Sequence, residues 1–116
     1  MAHSVSWSLR GNVSDLDAWR ELMHEMVAST KNEAGARTYE WYISEDGATC
    51  HILESYADSE AVMEHLGNFG ANFAERFMGL FQPTEFVIYG PASDQVKEAL
   101  AGFQPSYLGT LGGFRR

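Results

Sequence analysis

Cysteine, basic residues and long apolar runs are all scarce in this chain, and each scarcity narrows what it can be. Cys50 is the sole cysteine, which excludes an intrachain disulfide and any metal site built from several thiolates. A reducing cytoplasm fits that usage and is the expected location. Eight Lys and Arg stand against sixteen Asp and Glu, a formal charge of -8, so the mean field repels a phosphate backbone or an anionic membrane. Neither nucleic acid nor membrane is an expected partner. No stretch approaches the roughly 18 apolar residues that span a bilayer. The opening MAHSVSWSLRGN has no basic segment followed by an apolar core, so a soluble protein without a leader is expected.

Catalytic signatures are equally sparse. Gly67 and Gly70 do not follow a strand and open a helix as a dinucleotide fingerprint does, and there is no P-loop. His3, His24, His51 and His65 show no HExxH or other dense ligand spacing, so no metal is expected. Cys50 falls on an expected strand in apolar company and reads as packing rather than a reactive thiolate.

What is present is patterned. A chain of 116 residues with 45% hydrophobic content is expected to be one domain, residues 1–116, with a real core. Residues 3–10 alternate Val5, Trp7 and Leu9 with Ser4, Ser6 and Ser8, the period of a half-buried strand. Gly11 and Asn12 are expected to turn the chain. Ser14 and Asp17 then form an approximate capping box ahead of an amphipathic helix through Leu16, Trp19, Met23 and Val27 that ends near Gly35. Residues 37–44 alternate Tyr39, Trp41 and Ile43 with Thr38, Glu40 and Tyr42, Asp46-Gly47 is a hairpin signal, and residues 49–56 return as the partner strand. Asp58 or Ser59 caps a second helix that Pro83 ends, and residues 85–89 form a further strand closed by Gly90-Pro91.

The order βαββαβ places two helices on one face of an antiparallel sheet. The fold class expected is therefore α+β, ferredoxin-like, with its core at about residues 3–90. Residues 91–116 form an extension with a short helix near 93–101 and a fifth strand within 103–111. The uncovered sheet face carries Tyr, Trp or His from the hairpin whichever way it turns, and such faces are covered. A homodimer with sheets packed face to face, the C-terminal strand reaching across, is the expected closed assembly. Glu40 and Glu54, in a sheet facing a partner, read as interfacial ion-pair residues rather than catalysts.

The most informative stretch is residues 54–81, ESYADSEAVMEHLGNFGANFAERFMGLF. Val62, Leu66, Phe69, Phe73, Phe77 and Leu80 recur at helical spacing and define a buried face. His65, Asn72 and Arg76 fall together on its flank, where a helix can line a pocket. Gly67 and Gly70 are poor helix formers, so a break is expected there. A neutral imidazole accepts a proton from an acidic phenol or enol near neutral pH, and Asn72 and Arg76 are suited to hold the resulting oxyanion. The bland alternatives are a boundary histidine, an arginine stem lying along the apolar face with its head in water, and an asparagine on the helix surface. Trp7, Tyr39, Trp41, Phe69, Phe73 and Phe77 are core aromatics by default, and candidates for the wall of a flat apolar pocket between sheet and helices.

The run Glu54-Ser-Tyr56-Ala-Asp58-Ser, then Val62-Met-Glu-His65-Leu, resembles the E-x-[WY]-x-[DS] strand end and A-H-L helix of the antibiotic biosynthesis monooxygenase family. Glu33, Gly35, Tyr39, Glu40 and Trp41 fit its upstream E-x-G-x-x-x-Y-E-W pattern. The resemblance covers about residues 3–90 and implies a dimeric α+β barrel. It also implies a cofactor-free oxygenase of phenolic or quinol substrates, a haem-degrading enzyme or an isomerase. Trp7 or Ser8, His65 and Glu75 stand where the haem-degrading branch carries other residues, which disfavours that branch. Gly70 stands where many relatives carry a second helix histidine.

The leading expectation is a cofactor-independent monooxygenase, an oxidoreductase with no cofactor, whose partners are a small phenol, quinol or polyketide-like aromatic and O₂. His65, Asn72 and Arg76 are its expected catalytic residues. A binding module for a hydrophobic ligand and a proton-transfer isomerase in the same pocket are the alternatives.

Overall fold

The computed structural model describes residues 3–116; the expected domain also includes residues 1 and 2, which lie outside those described. Strand β1 (Val5–Val13), helix α1 (Leu16–Thr30), the hairpin β2 (Ala36–Ile43) and β3 (Thr49–Tyr56), helices α2 (Ser59–Asn72) and α3 (Ala74–Leu80), and β4 (Phe81–Tyr89) make up the ferredoxin-like core. Helix α4 (Asp94–Ala99), a 3₁₀ turn (Ala101–Phe103) and β5 (Ser106–Leu108) follow. The sheet order is β2-β3-β1-β4-β5, antiparallel throughout except for β5, which pairs parallel to β4.

Several boundaries differ from those read in the sequence. Gly11 and Asn12 continue β1 instead of turning it. The register against β4 shifts between Arg10 and Gly11, and a Cβ at Gly11 would collide with the Gln82 carbonyl. Glycine lets the bulged strand pass close to its neighbour. Helix α1 starts one residue later than the Ser14 box implies, because the Asp15 carboxylate accepts from the Ala18 N–H at 3.1 Å. It stops at Thr30, where the Asn32 and Glu33 amides donate to the Ser29 and Thr30 carbonyls. Pro83 lies inside β4 rather than ending a helix. The fifth strand is confined to three residues and lies on β4 of its own chain.

The helix break also falls elsewhere. Gly67 and Gly70 remain within α2, and the chain leaves helical geometry at Phe73 (φ -130°, ψ -19°) before α3 resumes. The apolar row nonetheless continues across the break, with the Phe69 and Phe77 rings edge to face at 5.1 Å.

The core lies between the sheet and α1–α3. Trp19 of α1 stacks on Phe81 at 4.8 Å and meets Trp41 and Phe77 at 4.9 and 5.1 Å. Strand pairing decides which side chains share the helix-facing side. Tyr39, Glu54, Trp7 and Ile88 form one row across four strands, and Trp41, Ile52, Leu9 and Phe86 form the next. The opposite side carries exposed Tyr42, Leu53 and Tyr89.

Candidate functional site

Glu54 is the residue the register places most informatively. Period-two alternation puts it with Cys50, Ile52 and Tyr56 on the covered side of β3, between Tyr39 and Trp7 on the flanking strands. It is therefore buried under α2 and does not face a second sheet. Glu40, on the other side of the hairpin, is exposed.

The Asp58 carboxylate caps α2, accepting from the Ala61 N–H at 2.9 Å, and this start places His65 two turns on, facing the sheet. At Gly35 the loop after α1 presses against α2, where an added Cβ would collide with that of Ala61. The same close approach brings Glu33 beside the helix. His65 Nδ1 is 3.0 Å from Glu33 Oε1, and Nε2 is 3.3 Å from Glu54 Oε1. Asn68, three residues along α2, donates to Glu33 Oε2 at 3.1 Å, and the Tyr56 hydroxyl donates to Glu54 Oε1 at 2.5 Å. Glu33, Glu54 and His65 are each less than a tenth exposed, so their charges interact with little screening by water. Burial by itself lowers the His65 pKa, but Glu54 and Glu33 outweigh it and hold the imidazole above its ordinary value. Burial, reinforced by Glu54, pushes the Tyr39 and Tyr56 phenols upward and keeps them neutral.

Beside this cluster is a cavity of about 50 Å³. His65, Glu54, Tyr39 and Trp7 line one part of it. Leu9, Met26, Ile52, Leu66, Phe69 and Phe77 line the apolar remainder, together with Phe86, Leu100 and Phe103. The indole N–H of Trp7 has no hydrogen-bond partner among the described residues. A buried unpaired donor costs about 1–3 kcal/mol, which an oxygen atom of a bound ligand would recover.

Of the residues singled out in the sequence, His65, Trp7, Tyr39, Phe69 and Phe77 come together at the cavity. Asn72 and Arg76 do not. Asn72 is exposed at the end of α2 and donates to the Asn68 carbonyl at 3.1 Å. Arg76 lies beyond the break at Phe73 and makes a two-pronged pair with Glu25 of α1, both bonds at 2.9 Å and both side chains half-exposed. Helical angle alone cannot resolve a flank row that a change of helix interrupts. Trp41 and Phe73 pack against the core outside the cavity. Glu33, Asn68, Leu100 and Phe103 are site residues that reasoning from the sequence misses. Glu33 and Glu54 carry a signal in the family pattern, but burial is what gives them a role.

Among the described residues no group of three or more His, Cys, Asp or Glu is arranged to hold a metal ion, and no helix is long and apolar enough to cross a membrane.

A four-stranded ferredoxin-like core with helices on one face, and a largely apolar cavity beside a buried His–Glu cluster, defines the class. The model of the antibiotic biosynthesis monooxygenase family matches residues 10–75, more than half of the chain, and the protein belongs to that family. Among solved structures, MupZ from Pseudomonas fluorescens is 21% identical with a TM-score of 0.88, covering 100% of this chain and 91% of its own. SnoaB from Streptomyces nogalater, a cofactor-independent oxygenase, is 15% identical with a TM-score of 0.68, covering 79% and 96%. Rv0793 from Mycobacterium tuberculosis is 28% identical with a TM-score of 0.57, covering 78% and 97%. No curated protein matches the sequence.

Proposed function

We propose that the cavity is the active site of a cofactor-independent monooxygenase acting on a small, electron-rich phenol, quinol or anthrone-like aromatic. The observation that carries this reading is His65 held between two buried carboxylates, one of which, Glu54, lines the same apolar cavity. Since the carboxylates shift His65 toward the imidazolium, we assign the substrate proton to Glu54 and the support of the anion that forms to His65. Trp7, whose indole N–H has no partner among the described residues, lines the same cavity. The electron-rich anion reduces O₂ and forms a carbon-bound peroxide. At a methylene carbon, loss of water from that peroxide leaves a carbonyl: CH₂ and O₂ become C=O and H₂O, with His65 returning a proton to the departing oxygen. Family membership and the fold shared with SnoaB support the reaction class.

A second reading is favoured by one feature of the site. An imidazole whose pKa two carboxylates raise and a carboxylate acceptor stand side by side at one largely apolar cavity, an arrangement suited to proton transfer that uses no oxygen, such as an isomerisation. Incubating the protein with anthrone and a hydroquinone panel in aerobic and anaerobic buffer separates the two. Oxygen uptake matching product, lost in Glu54→Gln, is the expected result. Equal product in both atmospheres overturns the oxygenase reading in favour of proton transfer, and quenching of tryptophan fluorescence without turnover reduces the site to a binding pocket. A homodimer through the open sheet face belongs to the same proposal, supported by exposed Tyr42, Leu53 and Tyr89.

A further inference from the structure

The inner cavity measures about 50 Å³, whereas an apolar cavity that holds benzene is about 150 Å³. Some wall must therefore move before an aromatic substrate enters. Two side chains, Phe86 and Phe103, are walls of the cavity and also of an outer surface groove of about 300 Å³ that runs past Pro83, Thr84, Glu85, Gln104 and Ser106. Their rings meet edge to face at 6.1 Å. Phe86 is fixed in β4, paired with Leu9 in the centre of the sheet, and is buried. Phe103 is held differently. It is half-buried, ends a single 3₁₀ turn, and is followed by Gln104 in the left-handed conformation (φ 52°, ψ 51°). On one side, α4 is anchored by fully buried Val96 and by the Ser93 N–H donating to Ser59 Oγ of α2. On the other, β5 is anchored on β4. Phe103 thus sits on a short span between two fixed points. This span lies outside the family match, which ends at residue 75.

We propose that Phe103, backed by buried Leu100, is the specificity-determining residue of the pocket: it separates the inner cavity from the outer groove and sets the length of molecule admitted. The proposal rests on the reading of the cavity as the substrate site. Glu54 on β3 lies two strands from Phe86 on β4, roughly 10 Å at ordinary strand spacing. A substrate with its hydroxyl at Glu54 and His65 therefore meets Phe103 with its far, apolar end. The class of molecule is uncharged, with a single hydrogen-bonding group at one end, since the charged side chains lining the cavity are Glu54 and the His65 it faces.

Binding of phenol and of the longer 4-phenylphenol, followed by tryptophan fluorescence, tests this in the wild type, Phe103→Ala and Phe103→Leu. A fourth protein, Leu66→Trp, fills the cavity from α2. Phe103→Ala is expected to raise the affinity for 4-phenylphenol at least about tenfold relative to phenol, with Phe103→Leu between it and the wild type. A ratio within about twofold of wild type in both variants, with phenol binding abolished by Leu66→Trp, overturns the role of Phe103 and leaves the cavity reading intact. Binding that Leu66→Trp does not alter, or no binding of either probe to wild type and Phe103→Ala alike, overturns both.

Discussion

Replacing Glu33 by glutamine keeps the side chain's shape and removes its charge. Glu33 is 5% exposed and accepts from His65 Nδ1 at 3.0 Å and from Asn68 Nδ2 at 3.1 Å. A glutamine there has one carbonyl for these two donors, so its own amide must face one of them. Removing a partner from a buried ion pair costs about 3–5 kcal/mol, but the glutamine retains one acceptor and Glu54 still faces Nε2. The appropriate scale is that of one hydrogen bond to a charged group, about 1.5–3 kcal/mol. Its pH dependence is the sharper test. Glu54 and Glu33 outweigh burial and raise the folded-state pKa of His65 above the unfolded value of about 6.5. The stability this gives is fully present below about pH 6.5 and is lost as pH rises through the folded value, at up to about 1.4 kcal/mol per pH unit. Glu33→Gln narrows that window, so its penalty is greatest below about pH 6.5 and shrinks as pH rises above it. Urea unfolding followed by tryptophan fluorescence across this range measures it, with His65→Gln as the reference lacking the titration. A penalty that stays constant or grows with pH refutes the reasoning.

Trp19→Ala removes the ring that meets Trp41, Phe77 and Phe81 and is expected to cost about 3–5 kcal/mol in denaturant unfolding. Gly35→Ala forces a Cβ against Ala61, with an expected loss of about 1–3 kcal/mol from overpacking, relieved in the double variant with Ala61→Gly. Arg76→Ala and Asn72→Ala, both outside the cavity, are expected to leave the oxygen-uptake rate unchanged, with Tm slightly lower in Arg76→Ala, which loses the pair with Glu25; a loss of rate in either, with the fold intact, returns that residue to the site.

The sequence is legible wherever a side chain's fate depends on its near neighbours. Alternation in residues 37–44 and 49–56 and the Asp46-Gly47 turn yield the hairpin, and the Val62 to Phe77 spacing yields the buried helix face. These are periodic signals set by the geometry of a single element, a helical turn or a strand's alternation. The boundaries that sequence reasoning misplaces, at Gly11, Phe73 and Pro83, depend on what lies across the sheet or beneath the helix. Gly11 extends a strand because the Gln82 carbonyl passes over it.

Taken alone, the sequence determined an α+β chain of ferredoxin-like order, the buried face of the helix after β3, and His65 as a residue on the border of that face. Tertiary structure decided what His65 touches. Glu33 and Glu54 are far from it in the chain and are brought to its two ring nitrogens by the Gly35–Ala61 approach and the β3 register. Likewise Arg76, expected beside His65, is drawn to Glu25 on another helix. Charge partners carried on different elements leave no periodic trace, because their meeting is set by packing between elements rather than by spacing within one.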